Sequence, residues 1–242
     1  MITIVYDNNP LDKRLKTAWG FACVIEGLRE TILFDTGGDG KLLLANMATA
    51  GFKPEQIDSI VLSHIHADHI GGLGAFLETN SKVKVFAPKA FPADFKQAVR
   101  QPGAKLVETE GPSTVCDRAW TTGVLKQGIE EQGLYLETPE GLVVVTGCAH
   151  PGIVHLAEAA RRHGKMPVYA VLGGFHMAGA SANKVNAVIQ NLREMGVQQV
   201  APCHCSGDNT RRLMKEAFGE GYLPSGVGAR LVFPGQQRSE DR

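Results

Sequence analysis

The chain has 242 residues, 43% of them apolar, with Lys+Arg and Asp+Glu balanced at 25 each. That length and apolar content build one large domain or two small ones with a sizeable core, while the balanced charge leaves neither a basic face to recruit nucleic acid nor an acidic tail. No apolar run approaches the roughly 18 residues of a membrane span, "ITIVYD" at the start reads as a strand rather than a leader, and five irregularly spaced cysteines point to a reduced, cytoplasmic protein.

In chain order, "ITIVY", "FACVIEG" and "ETILFDTG" read as strands, the last two as a hairpin turning over 27–30. "KLLLANMATAG" reads as a helix closed by Gly51. "IDSIVLS" is a buried strand that runs into a histidine cluster, "GGLGAFLE" a helix, "VKVFA" a strand and "ADFKQAVR" a helix. "AKLVET" and "STVCDRAWTTG" are strands, and "GLYLET" and "GLVVVTG" a hairpin across Pro139-Glu140. A helix over 153–163, strand "VYAVLGG", helix "ANKVNAVIQNLREMG", strand "QQVAP", helix "NTRRLMKEAFG" and the short strand "ARLVF" complete the pattern. Each half passes from strand hairpins to strand–helix units, and no Pro/Gly/Ser linker separates them. The expectation is one α/β domain over 1–233, with two mixed sheets and helices outside. The polar segment 234–242 is expected to be disordered.

The chemistry concentrates in "SHIHADHIGGL", where three of the eight histidines and an aspartate fall within six residues. His64 and His66, two apart in extended chain, point to the same side and reach one metal. Asp68 and His69 follow where the chain turns helical and face a second metal beside the first. Imidazole with carboxylate suits zinc, iron or manganese. Gly71 and Gly72 let the backbone pass close to neighbouring elements.

"HIHADH" matches the HxHxDH motif of the metallo-β-lactamase fold superfamily, and upstream "LFDTGG" resembles that family's Asp-x-Gly turn. The resemblance covers roughly 21–207. It implies a four-layer αβ/βα sandwich of two mixed β-sheets with a dinuclear metal site at one edge. It also makes Asp35 the buried carboxylate that braces the histidine loop. Three further blocks, "TGCAHPGI", "GGFHM" and "PCHCSG", resemble a subgroup that includes archaeal dihydropterin–ribofuranosylaminobenzene phosphate synthases.

On that resemblance His150 completes the ligands of the first metal and His204 those of the second. His176 is either a further ligand or a donor to substrate, its glycine-rich setting leaving room for a ligand. The family's GHxPG histidine and bridging aspartate are both missing. Cys148 stands where the aspartate is expected, as a replacement ligand or as a packed thiol. Cys203 and Cys205, flanking His204, are expected to point away from it. Cys23 and Cys116 read as core, and Trp19 and Phe21 as lining the substrate mouth on the family resemblance or, as aromatics beside a strand usually are, as core. Arg211 and Arg212 read as solvated helix faces, with contact to an anionic substrate as the alternative.

The implied cofactors are two divalent metal ions, zinc first, with manganese, iron or magnesium as alternatives. The implied function is a metal-dependent hydrolase that uses a metal-bound hydroxide on a small phosphodiester, ester or lactone, with Asp68 orienting the nucleophile. The first alternative is a dihydropterin synthase-like transferase that displaces pyrophosphate from a pterin. The second is a non-catalytic metal-binding or sensor protein. The expected partner is a small-molecule substrate, with neither nucleic acid nor membrane involved. Flavodiiron reductases, β-lactamases proper and the RNA-processing branch fit less well, for want of a flavin domain, the GHxPG motif and a large insertion respectively.

Overall fold

Alternation along the strands sets the layering. In β10 (Gly141–Thr146) Val143 and Val145 enter one apolar cluster while Leu142 and Val144 enter another. In β3 (Ile32–Phe34) Ile32 and Phe34 face the first cluster and Leu33 a third. Strands buried on both faces belong inside a sandwich covered by helices. The computed structural model describes residues 1–233, and the expected disordered tail lies outside the described residues.

The first sheet has seven strands in the order β13-β1-β2-β3-β4-β5-β6, the second six in the order β12-β11-β10-β9-β8-β7. In the first, β13 (Arg230–Leu231), β1 (Ile2–Tyr6), β2 (Ala22–Ile25) and β3 are antiparallel neighbours. From β3 through β4 (Ser59–Val61), β5 (Lys84–Pro88) and β6 (Lys105–Thr109) the pairing is parallel. The second sheet repeats the scheme. Antiparallel β7 (Thr114–Cys116), β8 (Ala119–Thr121), β9 (Leu134–Thr138) and β10 lead into parallel β11 (Val168–Gly174) and β12 (Gln199–Cys203). Both expected hairpins are present, with Cys23 opposite Phe34 and Val144 opposite Tyr135. The single strand expected over "STVCDRAWTTG" is instead the β7–β8 hairpin, folded back at Arg118, which takes a left-handed φ of 61°.

Helices α1 (Gly40–Ala50), α2 (Ala67–Ile70), α3 (Leu73–Thr79) and α4 (Ala93–Arg100) accompany the first sheet. Leu43, Met47, Phe76 and Val99 from this set pack on its outer face. The second sheet carries α5 (Ile153–Gly164), α6 (Ala182–Glu194) and α7 (Asp208–Phe218) through Leu156, Ile189 and Met214. Between the sheets, Ile4, Phe21, Phe34 and Val61 meet Leu136, Val143, Leu172 and Ala201. This is the four-layer αβ/βα arrangement. Cys23 and Cys116 lie in this inner core, as expected, and so does Cys203. Phe21 is fully buried there, its ring 6.3 Å from that of Phe34, so it does not line a mouth. Trp19 is 59% exposed. Among the described residues no helix is long and apolar enough to cross a membrane.

Leu172 sits in the inner core on β11, one strand in from the edge of the second sheet, fully buried. Leu172→Ala removes that contact and leaves a cavity, so a denaturant titration should show a loss of about 2–5 kcal/mol. A loss well under about 1 kcal/mol would mean that the inter-sheet layer is not close-packed there.

Candidate metal centre

The chemistry-bearing residues follow the C-terminal ends of strands: Asp7 and Asn8 after β1, Asp35 after β3, Ser63–His69 after β4, Cys148–His150 after β10, His176 after β11, His204 and Cys205 after β12. Strands that share a direction bring these ends to one edge of the sandwich, where open α/β sheets bind ligands. The backbone there is held in uncommon geometry. Asp35, Ala149, His176 and His204 take left-handed φ values of 56°, 58°, 49° and 47°. Each such non-glycine residue stores on the order of 1–3 kcal/mol of strain that the surrounding contacts must hold. Gly71 and Gly72 serve the close approach expected of them. A Cβ on Gly72 would lie 2.1 Å from the Thr36 carbonyl oxygen.

Donor atoms of His64, His66 and His150 lie within 4.8 Å of one another, and so do those of Asp68, His69 and His204. A third group, His64, His69 and Cys148, joins the two. Asp68 Oδ2 is 3.6 Å from His69 Nε2 and 3.4 Å from His204 Nε2, and Cys148 Sγ is 3.3 Å from His69 Nε2. Ligand atoms around a tetrahedral cation with bonds of about 2.0–2.3 Å lie roughly 3.3–3.8 Å apart, so these separations suit a shared ion.

Four imidazoles are oriented in the same way. His64 Nδ1 pairs with Ser63 Oγ at 2.9 Å, His69 Nδ1 with Asp35 Oδ2 at 2.7 Å, His150 Nδ1 with Glu131 Oε2 at 2.8 Å, and His204 Nδ1 with Asn8 Oδ1 at 2.9 Å. With each Nδ1–H donating outward, each Nε2 lone pair faces the cluster. The Nε2 atoms of His64 and His204 are buried without a hydrogen-bond partner. Buried polar atoms are rarely left so, and a cation is the partner they fit.

Comparison with known proteins shows the family. A family model described as the metallo-beta-lactamase superfamily matches residues 20–163. The chain belongs to the metallo-β-lactamase superfamily. It is 30% identical, over 86% of each chain, to the 7,8-dihydropterin-6-methyl-4-(beta-D-ribofuranosyl)-aminobenzene-5'-phosphate synthase of Methanocaldococcus jannaschii. In fold it is similar to Tm1679, described as a metal-dependent hydrolase of the beta-lactamase superfamily, with a TM-score of 0.80, 24% identity and coverage of 96% and 98% of the two chains. It is also similar to the metallo-beta-lactamase fold protein YhfI of Bacillus subtilis, with a TM-score of 0.65, 15% identity and coverage of 91% and 93%. This fold family is metal-dependent, and the histidine, aspartate and cysteine groups described above could hold metal.

Behind these metallo-β-lactamase side chains stand two fully buried carboxylates. Asp35 accepts from Ser63 N–H and Ser63 O–H, both at 2.7 Å, and from His69. Burial pushes its carboxyl up to about 7, against the pull of His64 and the Ser63 donors. Burial also lowers His64 and His69 to about 3, so both rings are neutral and ready to donate a lone pair. Glu131, which sequence reasoning missed, accepts from the backbone N–H groups of Cys148, Ala149 and His150 at 2.8–2.9 Å and from the His150 ring. Burial alone would raise its carboxyl; the His150 hydrogen bond, His64 once protonated and the backbone donors outweigh that and hold it at about 2. Asp7 and Asn8 were missed as well. Asp7 accepts from His204 N–H at 3.0 Å, and Asn8 orients the ring. "DNNP" at a strand end is a visible polar cluster, but nothing in "GIEEQG" separates buried Glu131 from half-buried Glu130.

Other expectations need correction. Cys205 does not point away from the cluster. Its Sγ lies with Cys148 Sγ and a His176 ring nitrogen within 4.8 Å, because a left-handed turn at His204 redirects the chain as β12 ends. Exposed His176 is grouped with these thiols rather than with the three-histidine group or the Asp68 group. The glycines before it serve strand packing instead of ligand room: a Cβ on Gly173 would lie 2.0 Å from Thr146 O. Arg211 is engaged by Asn9 and the Ser225 carbonyl, and Arg212 by Glu216 and Asn209, so neither is committed to an anionic substrate.

Glu131→Gln places an NH2 donor where His150 N–H and Nδ1–H both need an acceptor. The ionised wild-type carboxylate, lowered from 4.5 to about 2 on folding, contributes stability that is complete above pH 4.5 and lost as pH falls through about 2. The variant should therefore be less stable than wild type by on the order of 3 kcal/mol at neutral pH. The gap should shrink as denaturation is followed to lower pH. A gap independent of pH would show that the charge of Glu131 does not matter.

Proposed function

We propose that the chain is a metal-dependent enzyme with two cations at this edge. His64, His66 and His150 hold one, and Asp68, His69 and His204 the other. The observation that carries the reading is the pair of three-donor groups whose Nε2 atoms face each other, two of them buried and unpartnered. Three protein donors per ion leave an open position for a reacting group, as catalytic sites do. Cys148 stands beside both groups, where its thiolate can replace the family's bridging aspartate. Zinc suits the nitrogen, sulfur and carboxylate donors; manganese, iron and magnesium are the alternatives to test.

Two adjacent cations supply Lewis acidity, acidify bound water and neutralise phosphate charge. This chain's own residues hold the geometry. Asp35, Glu131, Asn8 and Ser63 fix four imidazoles in one tautomer, and Asp68, 22% exposed, reaches from the second group toward the open side. Trp19, its ring 4.9 Å from that of His204, forms one wall of the approach.

For the reaction, the likeness to a dihydropterin-linked synthase over 86% of each chain favours a transferase acting on a pterin that carries a pyrophosphate leaving group. The hydrolase reading stays second, favoured by the open position beside Asp68. In either case the partner is a small phosphorylated or ester-bearing molecule in a cytoplasmic setting.

Metal content per chain by elemental mass spectrometry tests the site. About two equivalents are expected in wild type, with His66→Ala and His69→Ala each losing metal and activity together. Full metal content and activity in either variant would overturn the assignment. Pyrophosphate release from a dihydropterin pyrophosphate that requires an aryl acceptor supports the transferase. Release without an acceptor, or turnover of phosphodiesters or lactones, supports the hydrolase. No turnover of any of these by protein holding two metals would replace both with the binding-protein reading.

Cys148→Ser should lower metal affinity about 10–100-fold if the thiolate coordinates. Unchanged affinity would reduce Cys148 to packing.

A further inference from the structure

Two reduced thiols meet at the floor of the cluster. Cys205 Sγ is 3.7 Å from the Cys148 carbonyl oxygen, and the two sulfurs lie within 4.8 Å of each other. They come from the ends of β12 and β10, with β11 between. The approach depends on Gly174, where a Cβ would stand 2.7 Å from Cys205 Sγ and 3.2 Å from Cys148 Cα. His176 N–H donates to Cys205 Sγ at 3.3 Å and fixes its direction. The remaining cysteines, Cys23, Cys116 and Cys203, lie in the inter-sheet core. Both paired thiols are nearly inaccessible themselves, but the group they form opens to solvent at exposed His176.

We propose that Cys148 and Cys205 form a peroxide-sensitive dithiol whose closure to a disulfide withdraws the Cys148 sulfur from the metal cluster. The link to metal rests on the donor assignment above; the dithiol itself does not. Closure to an S–S bond of about 2.05 Å requires the two sulfurs, within 4.8 Å of each other, to move together. One sulfur attacks the peroxide O–O bond, giving a sulfenic acid and releasing water. The second sulfur displaces the hydroxyl as a second water and forms the disulfide. Two thiols and one hydrogen peroxide become one disulfide and two waters, with two electrons passing from sulfur to oxygen. A dithiol reductant reverses the change. While Cys148 is engaged by a cation its sulfur is occupied, so bound metal protects the pair.

The test treats zinc-loaded and chelator-stripped full-length protein with hydrogen peroxide. Intact mass, non-reducing peptide mapping and zinc release to a chromogenic chelator are followed together. The expected result is loss of two hydrogens, a peptide joining Cys148 to Cys205, and free thiols falling from five to three. Closure should be several-fold faster in stripped protein, should release zinc in step in loaded protein, and should be undone by dithiothreitol. Cys205→Ser should form no cross-link and should retain zinc several-fold longer under peroxide, while Cys203→Ser should behave as wild type. Cross-linking without zinc release would support the dithiol and count against the Cys148 metal assignment. Sulfinic acid at either position without a cross-link, a bond to Cys203 instead, or no reaction would overturn the proposal.

Discussion

Asp35 is a carboxylate with no access to solvent, and the site is arranged around satisfying it. It accepts two hydrogen bonds from Ser63 and one from His69, and Ser63 passes the constraint on to His64. A buried carboxylate without such donors is strongly unfavourable. The loop after β4 is therefore held in the one conformation that brings Ser63 and His69 to Asp35 together. The second half of the chain packs directly on this hub. At Gly147 a Cβ would lie 2.1 Å from Ser63 Oγ and 2.9 Å from Asp35 Oδ2, so the end of β10 passes where a side chain does not fit.

The same device recurs on the other side. Glu131 gathers three backbone N–H groups of 148–150 and the His150 ring, so one residue fixes both the loop and the imidazole it presents. Asp7 and Asn8 do this for His204. Each half of the sandwich thus supplies acceptors that turn Nδ1 outward and leave Nε2 inward. The rings lie close together, with 4.2 Å between the centroids of His64 and His69. Neutral imidazoles tolerate that crowding; protonated ones would repel.

The sequence was most legible where one physical rule acts over a short span. Period-2 alternation and turn residues located the β2–β3 and β9–β10 hairpins, and the helical period located the outer helices. The four ligand-type residues of "HIHADH" are close in sequence and stay close in space. Reading went wrong where a single backbone angle decides direction. The left-handed residue at His204 turns Cys205 into the cluster, and Arg118 splits an expected strand in two. Phe21 takes the core alternative, left open in the sequence because a strand residue two positions past an exposed tryptophan gives no local sign of the face it buries.

By itself the sequence determined the layered class and the residue types able to hold metal, because spacing along one strand or helix fixes which side chains share a face; the edge at which strand ends collect came from the family resemblance. Only the tertiary structure decided which histidine stands with which. It also supplied the acceptors behind them and the contact between Cys148 and Cys205. Those pairings join residues far apart in the chain, 196 positions for Asn8 and His204 and 57 for the two cysteines. No local period carries such information. It arises when two sheets pack and their strand ends meet at a common edge.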